Sequence, residues 1–263
     1  MWWESLVLWT LGMAEKDETA LVLSGGGFRG MAHIGAIKAL EEKGFNPTLI
    51  SGTSAGAVVG ALYAGGYKSE VMLDFFQEMQ LFSLRTYALG KPGWFDTEKF
   101  AGHFRKYFPD NSFEALQKSL HVTAVNLLDG TLHIFKKGPL IPALLASAAF
   151  PGLFAPVRIG EGYFVDGGVL DNFPIEPVQT AGHIIGSYVN PFETVSPEGF
   201  GNSLQVLERV FKIVTSHEAR SKFDQCHVLL QPEGLKQYET FRQKDLSDIY
   251  ILGYEHARSI LSK

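Results

Sequence analysis

The chain has 263 residues and a mass of 29.0 kDa, room for one large domain or two small ones whose core needs no disulfide or metal staple. With 46% hydrophobic and 19% charged residues, a mean hydropathy of +0.04 and a formal net charge of −5, it is not disordered, collagen-like or coiled-coil. The negative balance also argues against a nucleic-acid partner held by phosphate neutralisation. The single cysteine, Cys226, leaves no intrachain disulfide and no thiolate metal site, and it fits a reducing compartment. Two counts need explaining: 28 glycines, and 4 tryptophans of which Trp2, Trp3 and Trp9 sit at the amino terminus.

Residues Met1–Met13 read MWWESLVLWTLGM. No Lys or Arg precedes the apolar run, which is too short to span a bilayer and lacks a secretory cleavage site. As a helix it would place Trp2, Leu6, Trp9 and Met13 near one stripe, suiting either an interfacial anchor or a plain terminus, a helix packed on the body or a second subunit or else a poorly ordered end. The second reading is preferred because the polar face carries no basic residues. From Thr19 onward the chain alternates β-rich and helical runs. Strands are predicted at Ala20–Ser24, Pro47–Ser51, His121–Asn126, Thr131–Phe135, Gly162–Asp166, His183–Val189 and His227–Gln231. Helices are predicted at Met31–Gly44, over the small-residue run from Ala55 to Tyr67, and at Ser203–Phe223 and Leu246–Ser262. The alternation predicts an α/β layer fold with a mostly parallel sheet. The aromatic-rich stretch Met72–Phe113 fits a lid or acyl-chain wall as well as a helical subdomain with an aromatic core.

Gly52-Thr53-Ser54-Ala55-Gly56 is G-x-S-x-G between a predicted strand and a predicted helix, the setting in which the motif is informative. A serine on such a turn is exposed in a strained backbone, and the helix after it aims its N–H groups at developing negative charge. Gly25-Gly26-Gly27-Phe28-Arg29-Gly30 invites a dinucleotide-binding reading, but no acid ends the next strand to hold a ribose. An anion-binding nest, which beside a nucleophilic serine becomes an oxyanion hole, fits the loop better. Arg29 either orients this loop or a partner carboxylate, or forms a surface ion pair. None of the eight histidines sits where an α/β-hydrolase carries its base: His217 and His256 fall in predicted helices and His227 starts a strand. Asp166, ending a strand before Gly167 and Gly168, is the more suggestive acid, although taken alone an Asp in that setting reads better as a turn residue.

GGGFRG, GTSAG and DGG in this order, with AVNLLDG and ASAAFPGLFAPV between the last two, resemble the patatin-like phospholipase family, above all its bacterial members. The resemblance covers nearly the whole chain from Thr19, leaving residues 1–18 as an apolar extension. It implies a three-layer α/β/α sandwich and a Ser-Asp dyad without histidine. Carried onto this sequence, Ser54 is the nucleophile, Asp166 the base, and Gly25, Gly26 and Gly27 the oxyanion hole, with Arg29, Gly30, Gly52, Gly56, Gly167 and Gly168 as supporting motif residues. DGG stands where plant patatins carry DGA, which alters neither role. The expected activity is hydrolysis of fatty-acyl esters of phospholipids, lysophospholipids or neutral lipids, with no cofactor or metal. The expected enzyme is cytoplasmic and touches membranes transiently. A lipid-binding or scaffold protein of the same fold with little turnover is the alternative, and a nucleotide-binding protein using GGGFRG a more distant one.

Overall fold

The first strand, β1 (Thr19–Leu23), shows how the layers are set. Leu21 and Leu23 enter one buried apolar cluster while Ala20 and Val22 enter another, as the alternating pleat requires of a strand buried on both faces. The computed structural model describes residues 18–83, 100–196, 200–242 and 245–262; the amino-terminal tryptophans and Trp94 lie outside them. Helices α1 (Met31–Glu42), α2 (Ala55–Ala64), α3 (Ser69–Ser83), α4 (Ala101–Tyr107) and α5 (Leu140–Ser147) contribute to the first cluster. The other face is covered by the segment Phe173–Val178 and by Ala219 of helix α6 (Ser203–Arg220). The three-layer expectation therefore holds, with a thicker layer on one side.

Strands β2 (Leu49–Thr53), β3 (Ser119–Asn126), β4 (Thr131–Phe135), β5 (Val157–Ile159), β6 (Gly162–Asp166), β7 (His183–Ser187) and β8 (Val228–Leu230) complete the sheet. Its order is β5-β6-β3-β2-β1-β7-β8, with β4 also on β3. The pairs from β3 through β8 are parallel, whereas β4 and β6 run antiparallel to β3 and β5 antiparallel to β6. Register places the acid. β2 pairs with β3 up to Thr53↔Thr123, and β4 occupies the opposite edge there through Thr123↔Ile134. β6 then takes over the edge that β2 vacates, beginning at Ala124↔Asp166. Two strands of opposite direction thus meet head to head on one edge of β3, and Asp166 arrives at the carboxyl end of β2.

The remaining elements depart from their predicted bounds in explicable ways. β2 starts two residues after Pro47, which has no N–H to give a ladder, and extends to Thr53 because β3 continues beside it. α1 ends at Glu42, and Gly44 (φ +82°) supplies the left-handed stop. Helix α7 (Leu246–Ile260) lies against α1 at two glycines: a Cβ on Gly35 would sit 2.1 Å from the Tyr250 carbonyl, and one on Gly253 2.1 Å from that of Ala32. Part of the glycine surplus therefore serves helix contact. In the aromatic stretch, the described part is core. Phe75 packs edge-on against Phe76, Phe104 and Tyr107, and all four are buried. Tyr87, Trp94 and Phe95 fall outside the described residues.

Candidate active site

Ser54 stands between β2 and α2 at φ 53° and ψ −126°, a positive-φ conformation that a residue with a side chain adopts only when its surroundings impose it. The surroundings are the flanking glycines. A Cβ on Gly56 would lie 2.3 Å from the Leu23 carbonyl oxygen, and one on Gly52 2.7 Å from the Gly56 backbone. Any other residue at either position would open the turn. α2 is buried along its whole length and built from small residues, so it lies close on the sheet with its amino end at Ser54. The Ser54 N–H donates to Ser147 Oγ at 2.8 Å, fixing the turn from α5.

Asp166 reaches the same point from β6. It is buried, its carboxylate accepts the Gly168 N–H at 2.8 Å, and it faces the Ser54 hydroxyl closely enough to interact with it. Burial pushes its pKa up to about 7, and the interactions with Ser54 and Gly168 oppose that rise. The junction closes at Gly167, where a Cβ would meet Thr53 Oγ1 at 2.4 Å.

The glycine loop leads from β1 into a 3₁₀ turn, Gly27–Gly30, and then α1. It is pinned from several sides. The Gly25 N–H donates to the Asn172 carbonyl at 3.3 Å and its carbonyl accepts the Asn190 side-chain amide at 2.5 Å. Ser24 Oγ accepts the Val189 N–H at 3.1 Å. Gly27 is left-handed at φ +54°, and a Cβ there would strike the Thr240 carbonyl at 2.3 Å. Gly30 packs against Ala55. Among the described residues no acceptor takes the N–H of Gly26 or Gly27, and both glycines line the cleft beside Ser54 and Asp166. Arg29 forms no surface ion pair among the described residues. It is buried, and its guanidinium donates to the Tyr238 carbonyl through Nε at 2.8 Å and through Nη2. With the Phe28 N–H on the Thr240 carbonyl at 2.8 Å, this ties the loop to the segment that closes the cleft.

Of the cleft's other walls, Phe150 lies within the ASAAFPGLFAPV motif, and those from α6 and the segment around Phe241 carry none. Phe150, Phe211 and Phe241 supply apolar surface, and Phe150 packs on both of the others with ring centroids 4.9 and 4.7 Å apart. Glu208, Lys212 and Thr215 line it from α6. Lys212 is buried and pairs with Glu193; burial, followed by the nearby Arg29 charge, lowers its pKa to about 8. The i, i+4, i+7 spacing of Glu208, Lys212 and Thr215, which puts three polar side chains on one face of α6, is the available signal for these. Ser147 lies within the ASAAFPGLFAPV motif. Among the described residues no histidine lines the cleft. His33, the nearest in sequence to the glycine loop, is buried between Ser187 Oγ (2.8 Å) and the Ser24 carbonyl (2.9 Å), and burial drops its pKa to about 4, leaving it neutral.

Known proteins resemble this chain in sequence and in fold. The profile of the patatin-like phospholipases matches residues 21–178, the span that contains the glycine loop, Ser54 and Asp166. An uncharacterized NTE family protein of Mycobacterium tuberculosis is 35% identical over 167 residues, covering 63% of this chain and 46% of that protein. Lysophospholipase NTE1 of Debaryomyces hansenii is 29% identical over 202 residues, covering 72% of this chain and 13% of its own length. The chain thus spans less than half the length of these curated relatives. Among solved structures, VipD from Legionella pneumophila superposes with a TM-score of 0.52 at 17% identity, over 94% of this chain and 67% of that one, a likeness of fold. With the profile matching well over half of the sequence, the chain belongs to the patatin-like phospholipase family.

Proposed function

We propose that the protein is a serine acyl hydrolase that cleaves fatty-acyl esters of phospholipids or lysophospholipids through Ser54 and Asp166. The observation that carries this reading is the contact between a strained, cleft-facing Ser54 and a buried carboxylate whose pKa lies near 7. An ordinary aspartate, with a pKa of about 3.9, would be a weak base for a hydroxyl. Raised to about 7, Asp166 remains substantially ionised at neutral pH and holds the accepted proton far better.

In the first half-reaction Ser54 Oγ bonds to the ester carbonyl carbon as its proton passes to Asp166. The carbonyl oxygen gains the negative charge and turns into the loop Gly25–Gly27, where the N–H groups of Gly26 and Gly27 are uncommitted among the described residues. Collapse breaks the C–O bond, and the leaving alcohol takes the proton back from Asp166. Water then attacks the acyl-Ser54 ester, gives its proton to Asp166, and the fatty acid leaves as Ser54 is reprotonated. The walls of Phe150, Phe211 and Phe241 suit an acyl chain rather than a polar substrate.

The test is labelling with a fluorophosphonate probe alongside hydrolysis of lysophosphatidylcholine. The parent is expected to label at Ser54 and to release fatty acid, and Ser54→Ala to lose both. Equal labelling of Ser54→Ala would remove the nucleophile assignment.

A further inference from the structure

Helix α6 is inverted relative to an ordinary surface helix. Its charged and hydroxyl residues Lys212, Thr215 and Ser216 are buried, while Val206, Leu207, Val210, Ile213 and Val214 are between 39% and 57% exposed. The spacing of these five places them on one side of the helix, away from Glu208, Phe211, Lys212 and Thr215, which line the Ser54 cleft. No Asp, Glu, Lys or Arg falls within the exposed band. Arg209 turns aside, stacking on the Phe192 ring at 4.3 Å and donating to the Glu193 carbonyl at 2.9 Å. Lys212 turns inward to Glu193.

We propose that the outer face of α6 is the lipid-docking surface of this protein, seating the cleft mouth on a membrane by apolar insertion. The band exposes on the order of 400 Å² of apolar side chain, the scale at which exposed patches mark interaction sites. A second copy is a poor occupant. Two such bands would bury about 800 Å² in total, below the roughly 1,200 Å² at which stable protein interfaces begin, and each chain carries a net charge of −5. A lipid surface needs no matching shape or charge, and a band without charged side chains binds it by burial alone. Position agrees. Leu207 Cδ2 lies 3.1 Å from the Cβ position of Gly152, and the Phe211 ring 3.0 Å from that of Gly168, so the helix bridges the loop after α5 and the turn after Asp166. A lipid leaving the bilayer beside this helix meets the cleft within one helix diameter. Only this last step rests on the proposed activity; the docking face itself does not.

The experiment compares the full chain with Val210→Glu/Val214→Lys, an exposed pair that puts two charges in the middle of the apolar band yet offers a favourable i,i+4 ion pair to the helix. Sedimentation with phosphatidylcholine vesicles at low and high salt reads docking, and hydrolysis of p-nitrophenyl butyrate in solution reads the cleft. The parent is expected to bind vesicles equally at both salt concentrations. The variant should bind at least tenfold more weakly while its rate on the soluble ester stays within about twofold. Unchanged vesicle binding by the variant overturns the proposal. So does a parent dimer, by light scattering, that the variant dissociates with no vesicle binding in either. Loss of binding in Trp2→Ser/Trp3→Ser/Trp9→Ser with full binding by the α6 variant overturns it too, assigning docking to the amino terminus. Failure of the soluble-ester assay alone would strike the acyl-hydrolase reading and leave the docking measurement intact.

Discussion

Asp166→Asn should make the protein inactive and, above neutral pH, more stable. The physical reason is the cost of an ionised carboxylate held at a buried site. Its pKa rises from 3.8 in the ordinary chain to about 7 in the fold, so the folded state favours the protonated form. A group of this sign contributes its stability in full below about pH 4, and the contribution is lost as pH rises through about 7. The interval between 3.8 and about 7, at about 1.4 kcal/mol per pH unit, corresponds to about 4 kcal/mol of stability that the parent forfeits at pH 8. Asparagine carries no charge at any pH, and its amide oxygen can still accept the Gly168 N–H that Asp166 accepts at 2.8 Å. Urea denaturation of parent and variant at pH 4.5 and pH 8 reads the difference directly. The variant's advantage should grow by a few kcal/mol between the two, which for a chain of this size is on the order of 10 °C in melting temperature at pH 8. A difference that does not change with pH, or a variant less stable than the parent at pH 8, would refute the reasoning, because the carboxylate would then not be under strain in the fold.

With Asp166 as the proposed base, the same titration predicts the rate profile: kcat/KM on a soluble ester should climb about tenfold per pH unit below pH 7 and level off above it. A flat profile from pH 5 to 8 would point to another base. Gly56→Ala should cost several kcal/mol of stability in chemical denaturation, because the added Cβ falls 2.3 Å from the Leu23 carbonyl and the neighbour is backbone. His33→Ala should lose about 3 kcal/mol by denaturation, from a cavity and from the broken contacts to Ser187 and the Ser24 carbonyl, while kcat/KM stays within about tenfold of the parent. A thousandfold loss of kcat/KM would instead place a histidine in the chemistry.

Much of the site is legible in the sequence because its signals are local. A strand followed by G-x-S-x-G and a run of small residues specifies a tight turn whatever the rest of the chain does, and Ser54 adopts it. The glycine loop reads as an anion nest because no acid ends β2, and its Gly26 and Gly27 line the cleft with N–H groups uncommitted among the described residues. Asp166 is harder. An Asp before two glycines reads as a turn residue, and it does accept the Gly168 N–H as one. The register Ala124↔Asp166 gives it a second partner in Ser54, and no local pattern encodes that register. Arg29 stays open between several roles in the sequence for the same reason: its acceptor, the Tyr238 carbonyl, is 209 residues away. Phe211 and Phe241 escape a sequence reading because they look like any core aromatics, and Phe150, although inside ASAAFPGLFAPV, carries no local mark of a cleft wall.

Composition, periodicity and motif order therefore determined by themselves the α/β class, most element positions, the turn at Ser54 and the family resemblance, since each rests on short local patterns or on their order along the chain. Only the tertiary structure brings Asp166, remote in the chain, to the carboxyl end of β2 and buries it there. It also turned Lys212, Thr215 and Ser216 of α6 inward and left Val206, Val210 and Val214 exposed. Those outcomes depend on which strand shares an edge of β3 and which helix face meets the sheet, and both are set by packing between segments remote in the chain.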